Sequence, residues 1–485
     1  MASIHTFGPF RLDVGARQLT RDGAALAVSA RHFDVLVALA ARAGTVITKD
    51  ALVEAAWRDV AVTDNSLEQA VSALRRVLGT DVGGRAYIET VPRQGYRFAA
   101  EVRTQSARAT DEGLEALMAP HRAWVEGQAA LEALDANRVA AARAAFERVL
   151  QSAPDDPMGH VGLANACAMR FEATRTDAAP DVTALALAAA HAREACQLDP
   201  RMAEAWATHA FVLDRTGHSQ EARSAAARAV SLEPDNWRHH FRLALVSWGE
   251  ARLRAARRTL ALLPGLPLAH WLAATVYVAR QAFDDAEREL GVGIESMRAT
   301  STGTGVKFPG VALEWLLGLV QLSRGAEDEA MDRFARELAL ETQTHLYTRE
   351  SCANTWYAIG AVHLRHGRLD EAAMAFRHAL EGVARHPAAV ALGALGTEPS
   401  AGAAPPDAEP ALVSPRALVD LALAEGVRLV VAGHHGVAAS RIDQALARAE
   451  PGSQAWWLPV EPILCVTAHP VEWAPVLAQL RNRAA

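Results

Sequence analysis

The chain has 485 residues, of which 51% are hydrophobic and 22% charged, and its net charge is −7. This length exceeds a single compact core, so about two to four folding units are expected. The sequence has no apolar run of about 18 residues and no basic-then-apolar leader, which argues against a membrane span and a signal peptide. We therefore expect a cytoplasmic protein with no membrane partner.

Charge is distributed unevenly along the chain. Residues 1–103 carry 13 of the 49 Lys and Arg residues and 11 of the 56 Asp and Glu residues, a balance of +2, which leaves −9 for the remainder. A weakly basic head on an acidic body fits contact with DNA through the head alone.

The head begins with short strand patterns, and Asp22-Gly23 between two of them favours a tight hairpin turn. Two helices are predicted next, and each begins after a hydroxyl residue suited to capping, Ser29 and Thr48. Trp57, at the end of the second helix, is expected to pack in the core.

The stretch from residue 63 to residue 79 predicts a third helix with two different faces. Apolar residues recur at three- and four-residue steps and form one stripe: Leu67, Ala70, Val71, Leu74 and Leu78. The opposite side carries short polar and guanidinium groups: Ser66, Gln69, Ser72, Arg75 and Arg76. Gly79 is expected to end the helix. One face suits a core, and the other suits the edge of a groove.

Residues 87–98 predict a β-hairpin whose turn, around Gly95, carries Arg93, Gln94 and Arg97. A helix followed by a basic hairpin is the arrangement with which a winged helix holds DNA.

The order of strands, three helices and a hairpin resembles the winged-helix DNA-binding domain of OmpR/PhoB-type regulators, and most of all their CadC-like branch. The resemblance covers residues 5–102. The motifs that carry it are Ser29-Ala-Arg-His-Phe33, Val46-Ile-Thr-Lys-Asp-Ala-Leu52, Trp57, Leu74-Arg-Arg-Val-Leu-Gly79 and Thr90-Val-Pro-Arg-Gln-Gly-Tyr-Arg-Phe98.

This resemblance implies that helix 65–78 enters the major groove of double-stranded DNA and that the hairpin reaches a minor groove. The residues it places against DNA are Thr48, Ser66, Gln69, Ser72, Arg75, Arg76, Arg93, Gln94 and Arg97. Amides and hydroxyls read base edges, guanidinium groups contact phosphates or guanine, and Thr48 is expected to meet a phosphate at a helix N-terminus.

The resemblance implies two further points about the head. The loop at residues 58–63 is expected to face RNA polymerase. Relatives often carry basic residues where Ala70, Ser72 and Ala73 stand here, on or near the exposed face. We therefore expect fewer electrostatic contacts with DNA from this helix, a weaker affinity for a single site and reliance on dimers or repeats.

From about residue 119 the chain is alanine-rich, helical in pattern and repetitive. Identical offsets relate Trp206 to Ala210, Gly217, Ala222 and Ala226, and Trp356 to Gly360, Gly367, Ala372 and Phe376. This pattern resembles tetratricopeptide repeats, whose period of about 34 residues also separates Pro200 from Pro234. With weaker copies, about seven helical pairs are expected, forming a right-handed superhelix with a concave face. Both tryptophans are expected to be core residues.

The concave face of such an array is expected to bind a protein or peptide. Aromatic residues that are candidates for lining it are Phe211, Tyr277 and Tyr347, among which the sequence does not decide.

Several patterns that resemble chemical sites are interpreted as structural. The histidine groups lack a third ligand at metal spacing and are expected to face solvent: His239-His240, His363 with His366, and His434-His435. The cysteines are expected to be buried thiols in a reducing compartment: Cys167, Cys196, Cys352 and Cys465. Residues 302–307 lack the spacing of a phosphate-binding loop. We therefore expect no catalytic residue, no metal and no cofactor.

The predicted fold is an α+β N-terminal winged helix followed by an all-α tetratricopeptide-like superhelical solenoid. The predicted domains are a winged helix at 1–103, a linker at 104–118, helical repeats at 119–396, a disordered linker at 397–415 and a C-terminal segment at 416–485. In that last segment, helices at 416–432 and 436–449 precede a final short pair, residues 456–464 and 473–480, that closes the array.

The sequence thus favours a one-component transcriptional regulator that binds double-stranded DNA and whose repeats sense a ligand or protein or self-associate, a homodimer included. The alternative is a non-catalytic interaction scaffold whose winged helix recruits protein. An enzyme is the weakest hypothesis, because no cluster of titratable side chains is recognisable. Target genes, the direction of regulation and the ligand are beyond the sequence.

Overall fold

The computed structural model describes residues 3–57, 64–80, 84–106, 111–132, 134–301, 310–396 and 415–485. The chain divides into two compact units, one formed by Met1–Val125 and the other beginning at Glu126. The expected RNA polymerase loop at 58–63, the loop at 302–307 and nearly all of the linker at 397–415 lie outside the described residues.

The first unit contains two antiparallel sheets. Its strands are β1 (Ser3–Phe7), β2 (Phe10–Asp13), β3 (Gln18–Arg21), β4 (Ala24–Leu26), β5 (Val46–Ile47), β6 (Ile88–Val91), β7 (Gly95–Phe98) and β8 (Arg103–Ser106). The strand orders are β4-β3-β2-β1-β8 and β5-β7-β6. Asp22 and Gly23, with φ of 49° and 84°, form the predicted tight turn between β3 and β4.

Three helices of the head lie between β4 and β6 in sequence, and β5 separates the first two: α1 (Ala30–Ala41), α2 (Lys49–Ala56) and α3 (Asp64–Leu78). The predicted caps are confirmed, because the Ser29 side chain accepts from the backbone N–H of His32 and the Thr48 side chain from that of Ala51. Gly79 follows α3 with φ of 69°, as expected of a glycine that ends a helix.

The core of the head contains the apolar stripe of α3, which packs on α1 and α2, and an aromatic cluster. All five residues of the predicted stripe are buried: Leu67, Ala70, Val71, Leu74 and Leu78. The cluster consists of Phe7, Phe10, Tyr87 and Phe98, with ring centroids 4.9 to 6.2 Å apart. Trp57 is 8% exposed, which confirms its predicted place in the core.

The expected linker at 104–118 is wrong in two places. Residues Arg103–Ser106 form β8, which pairs antiparallel with β1, so that Thr6 lies opposite Arg103 and Ser3 opposite Ser106. The helix α4 (Asp111–Glu132) then begins well before residue 119. A polar, Thr- and Ser-containing stretch reads as a linker in sequence, but the exposed edge of β1 provides hydrogen-bond partners that make it a strand.

The remaining helices follow in series. They are α5 (Val139–Ser152), α6 (Pro157–Thr174), α7 (Val182–Leu198), α8 (Ala203–Arg215), α9 (Ser219–Leu232), α10 (Trp237–Val246), α11 (Glu250–Leu262), α12 (Pro267–Arg280), α13 (Phe283–Ser301), α14 (Leu313–Ser323), α15 (Glu327–Leu338), α16 (Thr348–Arg365), α17 (Leu369–Gly382), α18 (Ala388–Ala394), α19 (Pro415–Val431), α20 (His435–Arg448) and α21 (Pro470–Arg483). Short 3-10 turns form at Ala136–Arg138 and Leu458–Val460.

Helices α4 to α17 form seven antiparallel pairs within the described chain, and the helices of each pair from α6/α7 onward pack on each other. Small residues allow the close crossing that the sequence predicts. A Cβ atom on Gly318 of α14 would lie 2.6 Å from the Phe334 ring of α15, and Gly360 meets Phe376 in the same way. Trp206 and Trp356 pack partly buried against the core clusters of their pairs.

The C-terminal segment agrees with prediction at α19, α20 and α21 but differs at residues 456–464. Only Leu458–Val460 form a helical turn there, because Pro459 and Pro462 remove backbone donors. The segment shares one core cluster with α16, α17 and α18. Its last part, residues 456–485, also turns back and packs on the earlier helices α12 and α14.

Two of the predicted solvent-facing histidines are buried, which corrects that expectation. His239 is 0% and His240 8% exposed. Each imidazole finds a partner in the preceding loop, since His239 Nε2 lies 3.2 Å from Glu233 and His240 Nε2 lies 2.8 Å from the Pro234 carbonyl oxygen. The four cysteines are free thiols, three of them buried and Cys465 half-buried.

Candidate DNA interface and repeat surfaces

The candidate interface of the head is built from α3 and the hairpin of β6 and β7, called the wing. Arg75 connects the two: its Nε donates to the carbonyl of Ile88 at 2.9 Å, and its Nη2 donates to the Thr90 hydroxyl at 2.7 Å. Its guanidinium also lies 6.0 Å from the centre of the Tyr96 ring. Arg75, predicted as a DNA contact, is therefore partly occupied in holding the helix against the wing.

The rest of the predicted face of α3 points outward. Gln69, Ser72 and Arg76 are exposed and Ser66 is half-buried. Ala70 is 0% exposed, so a basic side chain at that position would be buried. Ala73 is half-buried and borders the outward side of the helix. The burial of Ala70 in the core therefore accounts for part of the low number of charges on this helix.

The wing presents its tip to solvent. Arg93 and Gln94 are exposed. The backbone of Arg93 adopts a left-handed conformation in this turn, with φ of 59°. Gly95, with φ of 143°, lies so close to the Ile47 carbonyl that no Cβ atom fits. Arg97 lies lower on the wing, 2.6 Å from Glu89 on the opposite strand.

The start of α2 borders α3. Thr48 is exposed, and its hydroxyl accepts from the backbone N–H of Ala51 at 3.2 Å, so its side chain caps α2. Lys49 donates to Glu68 of α3 at 2.8 Å. In the described part of the head, Arg97 is paired with a carboxylate, Glu89, and Arg75 is bonded to the wing, whereas Arg76 and Arg93 have neither kind of contact.

The first helices of the later pairs are covered by the chain's own C-terminal segment. Trp456 meets Trp271 of α12 with ring centroids 5.8 Å apart. Tyr357 of α16 donates to Glu461 at 2.7 Å, and Arg365 donates to the Pro462 carbonyl at 2.7 Å. This side of the array therefore carries an internal occupant and not an open groove.

A second unpredicted feature is the crossing segment, residues 339–347 between α15 and α16. It forms an isolated bridge between His345 and Asp135, and Leu346 donates to the Leu134 carbonyl at 2.7 Å. Tyr347 donates to Glu172 at 2.9 Å. These contacts join the seventh pair to the first two. No sequence signal identifies them, because the partners are more than a hundred residues apart and lie outside the repeat pattern.

The three aromatic residues named as candidates for lining the concave face lie in three different environments. Phe211 is 3% exposed and lies beneath the guanidinium groups of Arg215 and Arg242. Tyr347 belongs to the crossing segment, and the Tyr277 hydroxyl accepts from Arg257 at 2.9 Å.

Two family models match separate parts of the chain. Residues 23–98 match the family described as "Transcriptional regulatory protein, C terminal", and residues 128–203 match "Tetratricopeptide repeat". Both predicted domain types are thereby confirmed: an OmpR/PhoB-type winged helix followed by helical repeats.

Curated relatives resemble the head. The chain is 32% identical over 96 residues to the transcriptional activator CadC of Escherichia coli (strain K12), covering 20% of this chain and 19% of the relative. It is 43% identical over 68 residues to the transcriptional regulator HilA of Salmonella typhimurium (strain LT2), covering 14% and 12%. The chain therefore spans less than a fifth of the length of either relative.

Among solved structures, the DNA-binding domain of Escherichia coli CadC is 30% identical, with a TM-score of 0.20; the match covers 21% of this chain and 96% of that domain. No helix in the described ranges has the length and apolar content needed to cross a membrane. Nor do the described His, Cys, Asp and Glu residues form a group of three or more that is arranged for a metal ion.

Proposed function

We propose that this chain, an OmpR/PhoB-type winged helix ahead of tetratricopeptide repeats, is a one-component transcriptional regulator that binds double-stranded DNA. Helix α3 enters the major groove, and the wing reaches the adjacent minor groove. The outward side of α3 and the wing tip carry the proposal, because polar side chains there face solvent: Gln69, Ser72, Arg76, Arg93 and Gln94.

The contacts divide by chemistry. Gln69 and Ser72 offer an amide and a hydroxyl to base edges, while Arg76 and Arg93 offer free guanidinium groups to phosphates or guanine. The first turn of α2, behind Thr48, supplies N–H groups for a phosphate. Ser66 adds a hydroxyl at the start of α3. Arg75 and Arg97 contribute to DNA binding mainly by fixing the helix and wing that carry the others.

The repeats serve the regulator as its sensing or self-association part. The repeats set the spacing of two heads when they bind a ligand, a protein partner or a second copy of the chain. Two heads on one DNA site then bind with higher overall affinity than one head alone. Residues 58–63 face RNA polymerase when the head is on DNA. The protein acts in the cytoplasm and catalyses no reaction. The names of CadC and HilA as transcriptional activator and regulator support this reading.

The test uses the full chain and duplexes selected from a random pool. The logarithm of the affinity is expected to fall linearly with the logarithm of the salt concentration. Gln69→Ala/Arg76→Ala is expected to weaken binding about tenfold or more and to reduce the salt slope by about one. Arg11→Ala, an exposed arginine on β2, is the matched control and is expected to bind as the parent does.

An unchanged affinity and sequence preference in the double variant would remove α3 from the interface. Absence of salt-dependent binding to any duplex would instead favour the interaction scaffold, in which the winged helix recruits protein.

A further inference from the structure

We propose that the repeats bind a neutral polyhydroxy compound, of the size of a mono- or disaccharide, in a cavity beside the crossing segment. The cavity has a volume of about 520 Å³. Small-molecule sites usually measure about 300–1,000 Å³, so this space is large enough. As the ligand that the repeats sense, the compound rests on the function proposed above, whereas its binding in this cavity does not depend on that function.

The cavity is assembled from parts of the chain that are far apart in sequence. It is lined by the crossing segment, by one side of α16 and by the C-terminal half of α17. Ala136 and Asn137, from the turn between α4 and α5, and Ala173 of α6 complete the lining. The site therefore forms where the first two pairs meet the seventh pair, and a ligand in it would contact both parts of the array.

Two buried polar side chains at this cavity have an unsatisfied hydrogen-bonding group. His345 is 8% and Thr348 4% exposed, and both line the cavity. The Nε2 atom of His345 and the hydroxyl of Thr348 have no hydrogen-bond partner among the described residues. A buried polar group without a partner is costly and therefore uncommon in a folded protein. A ligand that bonds to both groups accounts for their presence here.

The imidazole of His345 is a neutral hydrogen-bond donor. Its Nδ1 atom accepts from the backbone N–H of Tyr347 at 3.3 Å. Burial lowers the pKa of His345 to about 4, so the ring is uncharged at neutral pH. In a neutral ring whose Nδ1 accepts, the proton is on Nε2. Together with Thr348, this side chain therefore offers a ligand one N–H group and one hydroxyl, and no charge.

The charged residues of the lining disfavour an anion. Glu341 and Glu381 both line the cavity, and both are exposed. The guanidinium of Arg349, the one arginine among the described residues of the lining, is already paired with Asp177 at 2.6 Å. The imidazole of His378 lies 3.1 Å from Glu381. An anionic ligand would therefore meet two carboxylates, while the cationic groups near them already have partners.

A hydroxyl group suits both the donors and the acceptors of this site. It accepts from the His345 N–H and donates to a carboxylate such as Glu341. An ammonium group would suit the carboxylates but leave the imidazole N–H unpaired. A carboxylate bound to His345 and Thr348 would be a buried charge without a counter-ion. Several hydroxyl groups on one uncharged frame therefore match the lining.

Trp356 adds apolar area to this polar lining. It is half-buried, it lines the cavity, and its ring centroid lies 4.8 Å from that of His378. An indole ring provides a large apolar surface, on which the C–H groups of a sugar ring pack. The combination of an aromatic ring with neutral donors and carboxylate acceptors favours a sugar over a compound that is polar on all sides.

The test is a ligand-observed NMR titration of the full chain with D-glucose, D-ribose and maltose, and with glycine and ethanolamine as charged counterparts. At least one of the three sugars is expected to bind, and to bind more tightly than either charged compound. Thr348→Val keeps the shape of the side chain and removes its hydroxyl, so it is expected to weaken sugar binding about three- to tenfold. Glu341→Gln, at an exposed position, is expected to weaken the same binding by a similar factor.

Thermal unfolding separates a role in binding from a structural role. Thr348→Val removes a buried hydroxyl that has no partner in the described chain, so without ligand this variant is expected to be at least as stable as the parent. Thr259→Val is the matched control on α11. Thr259 is 0% exposed and donates to the Ala255 carbonyl at 2.9 Å, so its variant is expected to melt at a lower temperature and to bind sugar as the parent does.

The proposal is overturned if no sugar binds the parent chain or if a charged compound binds more tightly than every sugar. It is also overturned if Thr348→Val and Glu341→Gln both bind as the parent does, and Glu341→Gln alone decides if the other variant does not fold. Sugar binding by a chain without affinity for any duplex would retain this site and reject the function proposed above. DNA binding without sugar binding would do the reverse.

Discussion

The Nε atom of Arg75 lies 2.9 Å from the carbonyl oxygen of Ile88, so a side chain of the helix α3 is bonded to the backbone of the wing. A second bond to the Thr90 hydroxyl, at 2.7 Å, fixes the guanidinium at two points of the same strand. One residue thereby sets the angle between the two elements that are proposed to enter different grooves.

Arg75→Ala is therefore expected to loosen the wing, whereas Arg76→Ala is not. Hydrogen bonds to a charged group contribute about 1.5–3 kcal/mol, so hydrogen exchange in β6 and β7 is expected to speed up in the Arg75 variant. The exposed Arg76 serves as the control, with exchange as in the parent and weaker DNA binding. Equal exchange in both variants would contradict the bracing role.

Gly318→Ala is expected to destabilise the repeats by about 1–3 kcal/mol, because the added methyl group overlaps the Phe334 ring across the pair. Gly291→Ala is the matched control on α13, where nothing lies within 4 Å of the new Cβ. That variant is expected to be neutral or more stable by up to about 1 kcal/mol, since alanine favours the helix. Urea unfolding followed by circular dichroism compares the two, and a Gly318 variant as stable as the parent would refute the close crossing.

The stability of the repeats is expected to fall in mild acid because of His386. Burial lowers the pKa of His386 to about 3, from 6.5 in the unfolded chain. The neutral imidazole is bonded on both sides, with Nε2 3.0 Å from the Asn354 amide oxygen and Nδ1 accepting from Ala388. Its contribution is complete above pH 6.5 and is lost as the pH falls toward 3, by up to about 1.4 kcal/mol per pH unit.

Thermal midpoints measured between these pH values check the expectation. His386→Gln is expected to flatten the decline, while His434→Gln, at an exposed histidine, is expected to leave it unchanged. A decline of the same steepness in all three proteins would show that another group is responsible.

Removal of the Tyr357 hydroxyl tests the hydrogen bond that links α16 to the C-terminal segment. The Tyr357 hydroxyl donates to Glu461 at 2.7 Å, and both residues are buried. Burial raises the pKa of Glu461, so removing this donor is expected to raise it further. Tyr357→Phe is expected to cost about 1–3 kcal/mol of unfolding free energy.

Tyr277→Phe is the control for this change. Its hydroxyl meets Arg257 in an exposed position, where the loss is expected to stay below about 0.5 kcal/mol. Similar losses in the two variants, measured by urea unfolding, would mean that the C-terminal segment is not held through Glu461.

Local patterns predicted the elements of this chain well. Helix boundaries depend on residues within one turn of them: Ser29 and Thr48 cap the two helices that they were predicted to begin, and Gly79 ends α3. The pairing of Gly318 with Phe334 and of Gly360 with Phe376 is equally visible, because the repeat offset brings the same positions together in every copy.

Long-range contacts were not predictable in the same way. β8 is a strand only because the edge of β1, nearly a hundred residues earlier, is available to pair with it. The sequence predicts Arg75 as a groove contact, because nothing near it in the chain shows that β6 supplies its hydrogen-bond partners. His239 and His240 look like an exposed doublet, since nothing local shows that the preceding loop supplies their partners.

The crossing segment limits how the number of repeats in this array can change in evolution. An open solenoid gains or loses a repeat without disturbing distant ones. Here residues 344–346 bond to residues 134–136, which fixes the rotation accumulated from the first pair to the seventh. Duplication or deletion of a single pair would separate these partners, so we expect the number of repeats between them to be locked, with length variation confined to loops outside this closure.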